Sequence, residues 1–223
     1  VRMTEVTLAA GNSHVLNGAS GEAQDALRSN LYALLANLTA GPPSAELLKA
    51  LAAIEVPEDA ADTALGEAWA MLRSVAEKTS SEIAADEYQD VFIGIGRGEV
   101  MPYGSWYLTG FLMEKPLALL RADLEKLGFQ RQEDVTESED HIAALCDVMG
   151  MISAQADGAG MNEQAAFFGA HVAPWAGRFF QDLQNAPSAR LYRVVGFLGE
   201  RFMDVETKYL EVTPNPVERR AVT

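Results

Sequence analysis

Thr136-Glu-Ser-Glu-Asp140-His141-Ile-Ala-Ala-Leu-Cys146-Asp-Val-Met149 carries the clearest periodic signal in the chain. Ile142, Leu145, Cys146, Met149 and Ile152 fall at i, i+3, i+4, i+7 and i+10, the repeat of an amphipathic helix with one apolar stripe. The spacing predicts a helix from about Ser138 to Asp157, stopped by Asp157-Gly-Ala-Gly160. Thr136 and Glu139 match a capping box and Ser138 is an alternative cap, so Asp140 and His141 are expected in the first turn. On a helical wheel His141 borders the apolar stripe, and Asp140 points about 100° away from it.

The same period recurs on both sides. Upstream, Leu27, Leu31, Leu34, Leu35 and Leu38 form a stripe on a helix from about Gly21 to Asn37, which Gly41-Pro-Pro43 stops. Ser44 can cap a helix with Leu47, Leu48, Leu51 and Ile54 inward, and Asp59 or Asp62 can cap another lined by Leu65, Trp69, Leu72 and Ala76. A fourth runs from Ser81 to about Phe92, before Gly94-Ile-Gly-Arg-Gly98 halts helical order. Pro116 opens a helix with Leu117, Leu120, Leu124 and Leu127 inward, and Gly128 closes it. Downstream, Asn162 caps a helix reaching His171, and Pro174 opens one with Trp175, Phe179 and Leu183. Ser188 caps the last, lined by Leu191, Val194, Val195, Leu198, Phe202 and Val205.

No segment alternates with the period of a strand, and nothing repeats at solenoid spacing. The expected fold is all-α, a single globular bundle of about nine to ten helices. A polar segment at residues 129–135 marks a hinge that divides a domain at 19–212 into parts 19–128 and 136–212. Residues 1–18 read as a partly disordered extension and 213–223 as a flexible tail. Such a hinge permits a monomer or a homodimer, the latter by exchange of halves between chains.

The formal charge is 17 − 32 = −15, which repels phosphate backbones and argues against nucleic acid as a partner. One cysteine, Cys146, excludes an internal disulfide framework and fits a reducing compartment. No stretch approaches the roughly 20 apolar residues of a membrane span, and the start of the chain lacks the apolar core of an export signal. A cytoplasmic location is expected.

Only three histidines are present, His14, His141 and His171, and neither HExxH, a Glu-x-x-His pair nor CxxC occurs. His141 and Cys146 lie about 140° apart around a helix and cannot share a metal from one face. The Gly94–Gly98 loop lacks the lysine of a phosphate-binding loop and follows a helix rather than a strand, which counts against a nucleotide-binding alternative. No cofactor, metal or catalytic residue is expected, and the protein reads as no enzyme.

Two constellations then stay open. Asp140 with His141 is either a helix-dipole complement beside a half-buried spacer or, with Glu139, a hydrogen-bonding wall for a peptide. Tyr103, Trp106, Tyr107 and Phe111 are either core packing or the aromatic face of a peptide-binding surface. A non-catalytic helical adaptor is the second alternative. His171-Val-Ala-Pro-Trp175 reads as a structural turn.

Four segments in order resemble the TorD/DmsD group of molybdoenzyme maturation chaperones. They are Tyr88-Gln-Asp-Val-Phe92 with the glycine loop, Pro102-Tyr-Gly-Ser-Trp-Tyr107, Glu139-Asp-His-Ile-Ala143 with Met149, and His171-Val-Ala-Pro-Trp175. The resemblance implies a cytoplasmic all-helical chaperone that binds the twin-arginine signal peptide, the apo-form of a molybdenum-cofactor oxidoreductase, or both, until the cofactor is inserted. Formate dehydrogenase, dimethyl sulfoxide reductase and trimethylamine oxide reductase are the client types it implies. It also implies that Tyr103, Ser105, Trp106, Asp140 and His141 serve leader binding, and Glu139 adjoins them. The run Ala144-Leu-Cys-Asp-Val-Met149 departs from relatives, which commonly carry a glutamate- and phenylalanine-bearing sequence there.

Overall fold

The computed structural model describes residues 21–56, 61–131, 137–154 and 160–211. These residues fold into ten helices: α1 (Gly21–Ala40), α2 (Ala45–Ala52), α3 (Ala64–Ala76), α4 (Ser81–Tyr88), α5 (Gly104–Thr109), α6 (Lys115–Lys126), α7 (Ile142–Ala154), α8 (Met161–Phe167), α9 (Ala176–Asn185) and α10 (Leu191–Tyr209). Wider π-helical turns extend α4 through Gln89–Ile93 and α8 through Phe168–Val172. The expected all-α bundle is the observed one, and no strand occurs among the described residues.

The apolar stripes meet in one core. Leu31, Leu34, Leu35 and Leu38 of α1 are buried chiefly against α7, where Ile142, Leu145, Cys146, Met149 and Ile152 are buried in turn. Each such side chain contributes roughly 1.5–3 kcal/mol on leaving water. Leu27, expected on the α1 stripe, is instead 39% exposed. α10 packs along α9 and α3, and α2 packs on α3, so helices from both sides of residues 129–135 share the core. At the α9–α10 crossing, Gly199 admits the Phe180 ring so closely that a Cβ there would lie 2.3 Å from it.

A buried ion pair ties the two ends of the described chain together. Arg28 of α1 donates from Nε to Glu206 Oε1 at 2.7 Å and from Nη2 to Oε2 at 2.9 Å. Its Nη1 donates to Asp25 and to Gln164, each at 2.9 Å, and Tyr32 donates its hydroxyl to Glu206 at 2.8 Å. Arg28 and Glu206 are both fully shielded from water, so each depends on the other for its charge to be tolerated.

Several helix starts differ from their sequence expectation. Ser44 caps α2 as expected, its Oγ accepting from Leu47 N–H. Thr63 rather than Asp62 caps α3, since its Oγ1 accepts from Gly66 N–H at 3.0 Å; Asp59 lies outside the described residues. At α8 the cap position is Gly160, and Glu163 reaches back to its N–H, so Asn162 is already helical. α9 begins at Ala176, two residues after Pro174. Ser188 does not cap α10: its N–H and hydroxyl bond Glu99, while the buried Glu87 carboxylate of α4 accepts the N–H groups of Arg190, Leu191 and Tyr192. A full carboxylate at the positive end of a 19-residue helix is the stronger cap. Gly128 ends α6 as expected, at φ +79°, with Gly128 and Phe129 N–H closing back on Glu125 and Leu124 carbonyls.

The glycine loop owes its composition to a reversal. Gly94 has φ +61° and Gly96 φ +87°, and a Cβ on Gly98 would lie 2.4 Å from the Phe92 carbonyl as the chain folds back to bond Val100 N–H to Val91. Among the described residues no helix is long and apolar enough to cross a membrane.

Candidate functional site

Pro102–Gly104 and Asp140–Ile142 run antiparallel and meet at a bridge that sets Tyr103 opposite His141. Gly104 N–H donates to the Asp140 carbonyl at 2.9 Å and Ile142 N–H to the Pro102 carbonyl at 2.8 Å. This pairing is why α7 starts at Ile142 and Asp140 and His141 precede it rather than occupying its first turn. The expected box at Thr136 lies outside the described residues. His141 is the cap: its carbonyl accepts from Leu145 N–H at 3.1 Å and its Nδ1 from Ala143 N–H at 3.1 Å.

That geometry fixes the state of the imidazole. A ring nitrogen that accepts from an amide carries no proton, so the proton of the neutral ring is on Nε2. Burial pushes the His141 pKa down to about 4, against the pull of Glu137 and Asp140 toward the charged form. His141 is therefore neutral near pH 7, its ring edge-on to Tyr103 with centroids 5.1 Å apart.

Asp140 reaches the other way. One carboxylate oxygen accepts from Ser105 N–H at 2.8 Å and the other from the Ser138 hydroxyl. It thus caps the six-residue α5 from 35 positions away in sequence, a link that local pattern cannot show. Ser105 in turn accepts from Met113 N–H at 3.2 Å, which tethers the loop after α5.

The structure brings Tyr103, Ser105, Asp140 and His141 together around the bridge, with Trp106 one residue along α5. Ser105, Asp140 and His141 are buried, whereas Tyr103, Trp106 and Glu139 are half-buried and reach the surface. Tyr103 donates its hydroxyl to Glu137; burial first and that carboxylate second push its phenol pKa well up. Glu139 accepts from Arg121 Nε and Nη2 at 3.0 and 2.8 Å; burial opposes its charge, but these bonds win and hold its carboxyl below the usual range. Arg97 of the glycine loop stacks over the Trp106 ring at 4.4 Å from its centroid.

Of the apolar rim beside this site, the sequence pointed to Phe111 alone, as either core or peptide-binding surface. Phe111, Leu112 and Met113 follow α5 directly and are 68%, 45% and 76% exposed, and Ile93 and Ile95 flank the glycine loop at 51% and 108%. Three apolar residues between Gly110 and Pro116, outside any helical stripe, were the available signal. Phe111 is no core residue.

The other candidates pack inward. Trp175 is buried, stacks on Tyr107 and donates Nε1–H to the His171 carbonyl at 2.7 Å, and His171 Nε2 bonds Asp123 at 2.8 Å. Burial pushes the Cys146 thiol pKa up, away from reactivity. Among the described residues no cluster of three or more His, Cys, Asp or Glu is placed to hold a metal ion.

The sequence model of the nitrate reductase delta subunit family matches residues 58–181, more than half of the chain, and spans the aromatic loop, the Asp140–His141 pair and the His171–Trp175 turn. The chain belongs to this family. It is 28% identical over 144 residues to the chaperone protein TorD of Aliivibrio fischeri, covering 60% of this chain and 66% of that protein. It is 25% identical over 194 residues to the TorD of Vibrio atlanticus, covering 82% and 81%, and 37% identical over 71 residues to that of Vibrio vulnificus, covering 31% and 33%. The matched stretch is thus just under two thirds of the Aliivibrio protein's length. The resemblance to the TorD/DmsD-type maturation chaperones holds, and these relatives are named as chaperones, not enzymes.

Proposed function

We propose that the protein is a redox-enzyme maturation chaperone of the TorD/DmsD type, which in the cytoplasm binds the twin-arginine leader of an apo-molybdoenzyme and holds it until its cofactor is inserted. The observation that carries this reading is the juxtaposition of the exposed Phe111–Leu112–Met113 rim with a carboxylate-edged seat formed by the half-buried Tyr103, Trp106 and Glu139 and the exposed Glu137. A twin-arginine leader joins two cations to an apolar segment. The rim answers the apolar part, and a chain of net charge −15 attracts the cations.

Within this reading the six site residues divide by exposure. Tyr103, Trp106 and Glu139 present the peptide face. Ser105, Asp140 and His141 are positioning residues, whose polar atoms meet the protein itself and hold α5 and its loop in place.

Fluorescence anisotropy with a labelled twin-arginine leader tests the proposal. Saturable binding that weakens with salt is expected, and Phe111→Ser with Met113→Ser should cost about tenfold in affinity for the apolar area lost. No binding by any molybdoenzyme leader, or equal binding by the double variant, overturns it.

A further inference from the structure

The Gly94–Gly98 loop is a feature singled out by the sequence that leader binding has not absorbed. Its arginine is placed oddly for a chain so rich in carboxylates. Arg97 is exposed, and among the described residues no Asp or Glu lies within ion-pair distance of it. Its guanidinium lies over the Trp106 indole at 4.4 Å. An indole is the best aromatic partner for a guanidinium, and an exposed contact of this kind is weak enough to exchange.

The platform and its occupant differ in how firmly they are held. Trp106 belongs to α5, capped by Asp140 at its start and closed by Gly110 N–H on the Trp106 carbonyl at 2.8 Å. Arg97 is at the tip of a reversal built on Gly94 and Gly96, both with positive φ, and flanked by the exposed Ile93 and Ile95. The exposed Phe111, Leu112 and Met113 follow Trp106 within seven residues along the chain, and Met113 N–H bonds the hydroxyl of Ser105, the residue before Trp106. An arginine followed by apolar residues therefore finds an indole face and, tied to the same short helix, a greasy rim.

We infer that the face of Trp106 is a guanidinium subsite, occupied in the free protein by Arg97 and released when an arginine preceding an apolar run in a bound peptide takes its place. The inference deepens the leader-binding reading and rests on it for the identity of the peptide. Arg97 is then an internal competitor. It covers an exposed indole between clients and sets a threshold that a peptide lacking arginine does not cross.

A double-mutant cycle tests this with the labelled leader. Arg97→Gln should tighten binding about two- to five-fold, the reciprocal of one exposed cation–π contact, and Trp106→Leu should abolish that gain. A leader with both arginines changed to glutamine should gain nothing from Arg97→Gln. Equal tightening in the Trp106→Leu background would mean that mere loss of like charge is responsible, and overturns the inference while leaving leader binding intact. Unchanged or weaker binding by Arg97→Gln overturns it as well. Argininamide supplies a second arm that does not depend on the leader: added to the Arg97→Gln protein, it should shift the Trp106 indole N–H resonance at lower concentration than in the wild type. No difference between the two proteins overturns the subsite even where leader binding fails.

Discussion

Replacing Asp140 by alanine removes the acceptor that starts α5. The carboxylate is 3% exposed and accepts from Ser105 N–H at 2.8 Å and from the Ser138 hydroxyl. A hydrogen bond to a charged group is worth roughly 1.5–3 kcal/mol, and a lost helix cap about 0.5–2 kcal/mol. These are two descriptions of the same bond, so they do not add; with the Ser138 hydroxyl left unpaired, Asp140→Ala should cost about 2–3 kcal/mol. At about 2–4 °C per kcal/mol for a chain of this size, Tm should fall by roughly 4–12 °C. Asp140→Asn keeps an oxygen for the Ser105 amide and loses only the charge, so it should fall between, near 1 kcal/mol. Calorimetric or far-ultraviolet melting reads the order wild type, Asn, Ala. An alanine variant that melts with the wild type would refute the capping role, and with it the account of how the Tyr103–Trp106 face is held.

Other perturbations have definite signs. His141 has its folded pKa depressed to about 4 from an ordinary 6.5, so the unfolded chain binds the extra proton first; its stabilising share is whole above pH 6.5 and is lost as pH falls toward 4, by up to about 3 kcal/mol. The difference in urea midpoint between wild type and His141→Gln should shrink over that window, and a constant difference would contradict the neutral buried ring. Glu206→Ala leaves Arg28 charged and buried without its main partner, and should cost about 3–5 kcal/mol in chemical denaturation; a loss under 1 kcal/mol would show that water reaches the pair. Gly94→Ala sets a Cβ 2.1 Å from the Arg97 carbonyl at φ +61°, so the loop must rearrange, read as a changed fluorescence of Trp106; an unaltered spectrum would mean the reversal tolerates a side chain.

What was legible in the sequence was what is local. The stripes of α1, α6 and α7 appear as leucine and isoleucine spacing, and the ends at Ser44 and Gly128 follow from residue types that satisfy their own helix. The starts of α5 and α10 were not legible, because their caps are Asp140 and Glu87, carboxylates 35 and more than 100 residues distant. For the same reason Asp140 and His141 looked like a first turn: a capping pattern cannot reveal that the backbone is already paired with Pro102 and Gly104. Glu206, which balances Arg28 across 178 positions, gave no sign of burial. At the site, the partnership of the aromatic loop with the Asp–His pair was readable, but which of its members reach the surface depends on tertiary packing. Phe111 could be read either as core or as surface, and Leu112 and Met113 gave no sign of exposure, because apolar residues on an exposed loop look, in one dimension, like core.

Hydrogen–deuterium exchange with and without a saturating twin-arginine leader tests the central claim most directly. The account predicts slowed exchange in residues 103–113, with little change at α9 and α10, whose amides are already closed in the core. Protection confined to α9 and α10, or none in 103–113 under saturation, would contradict it.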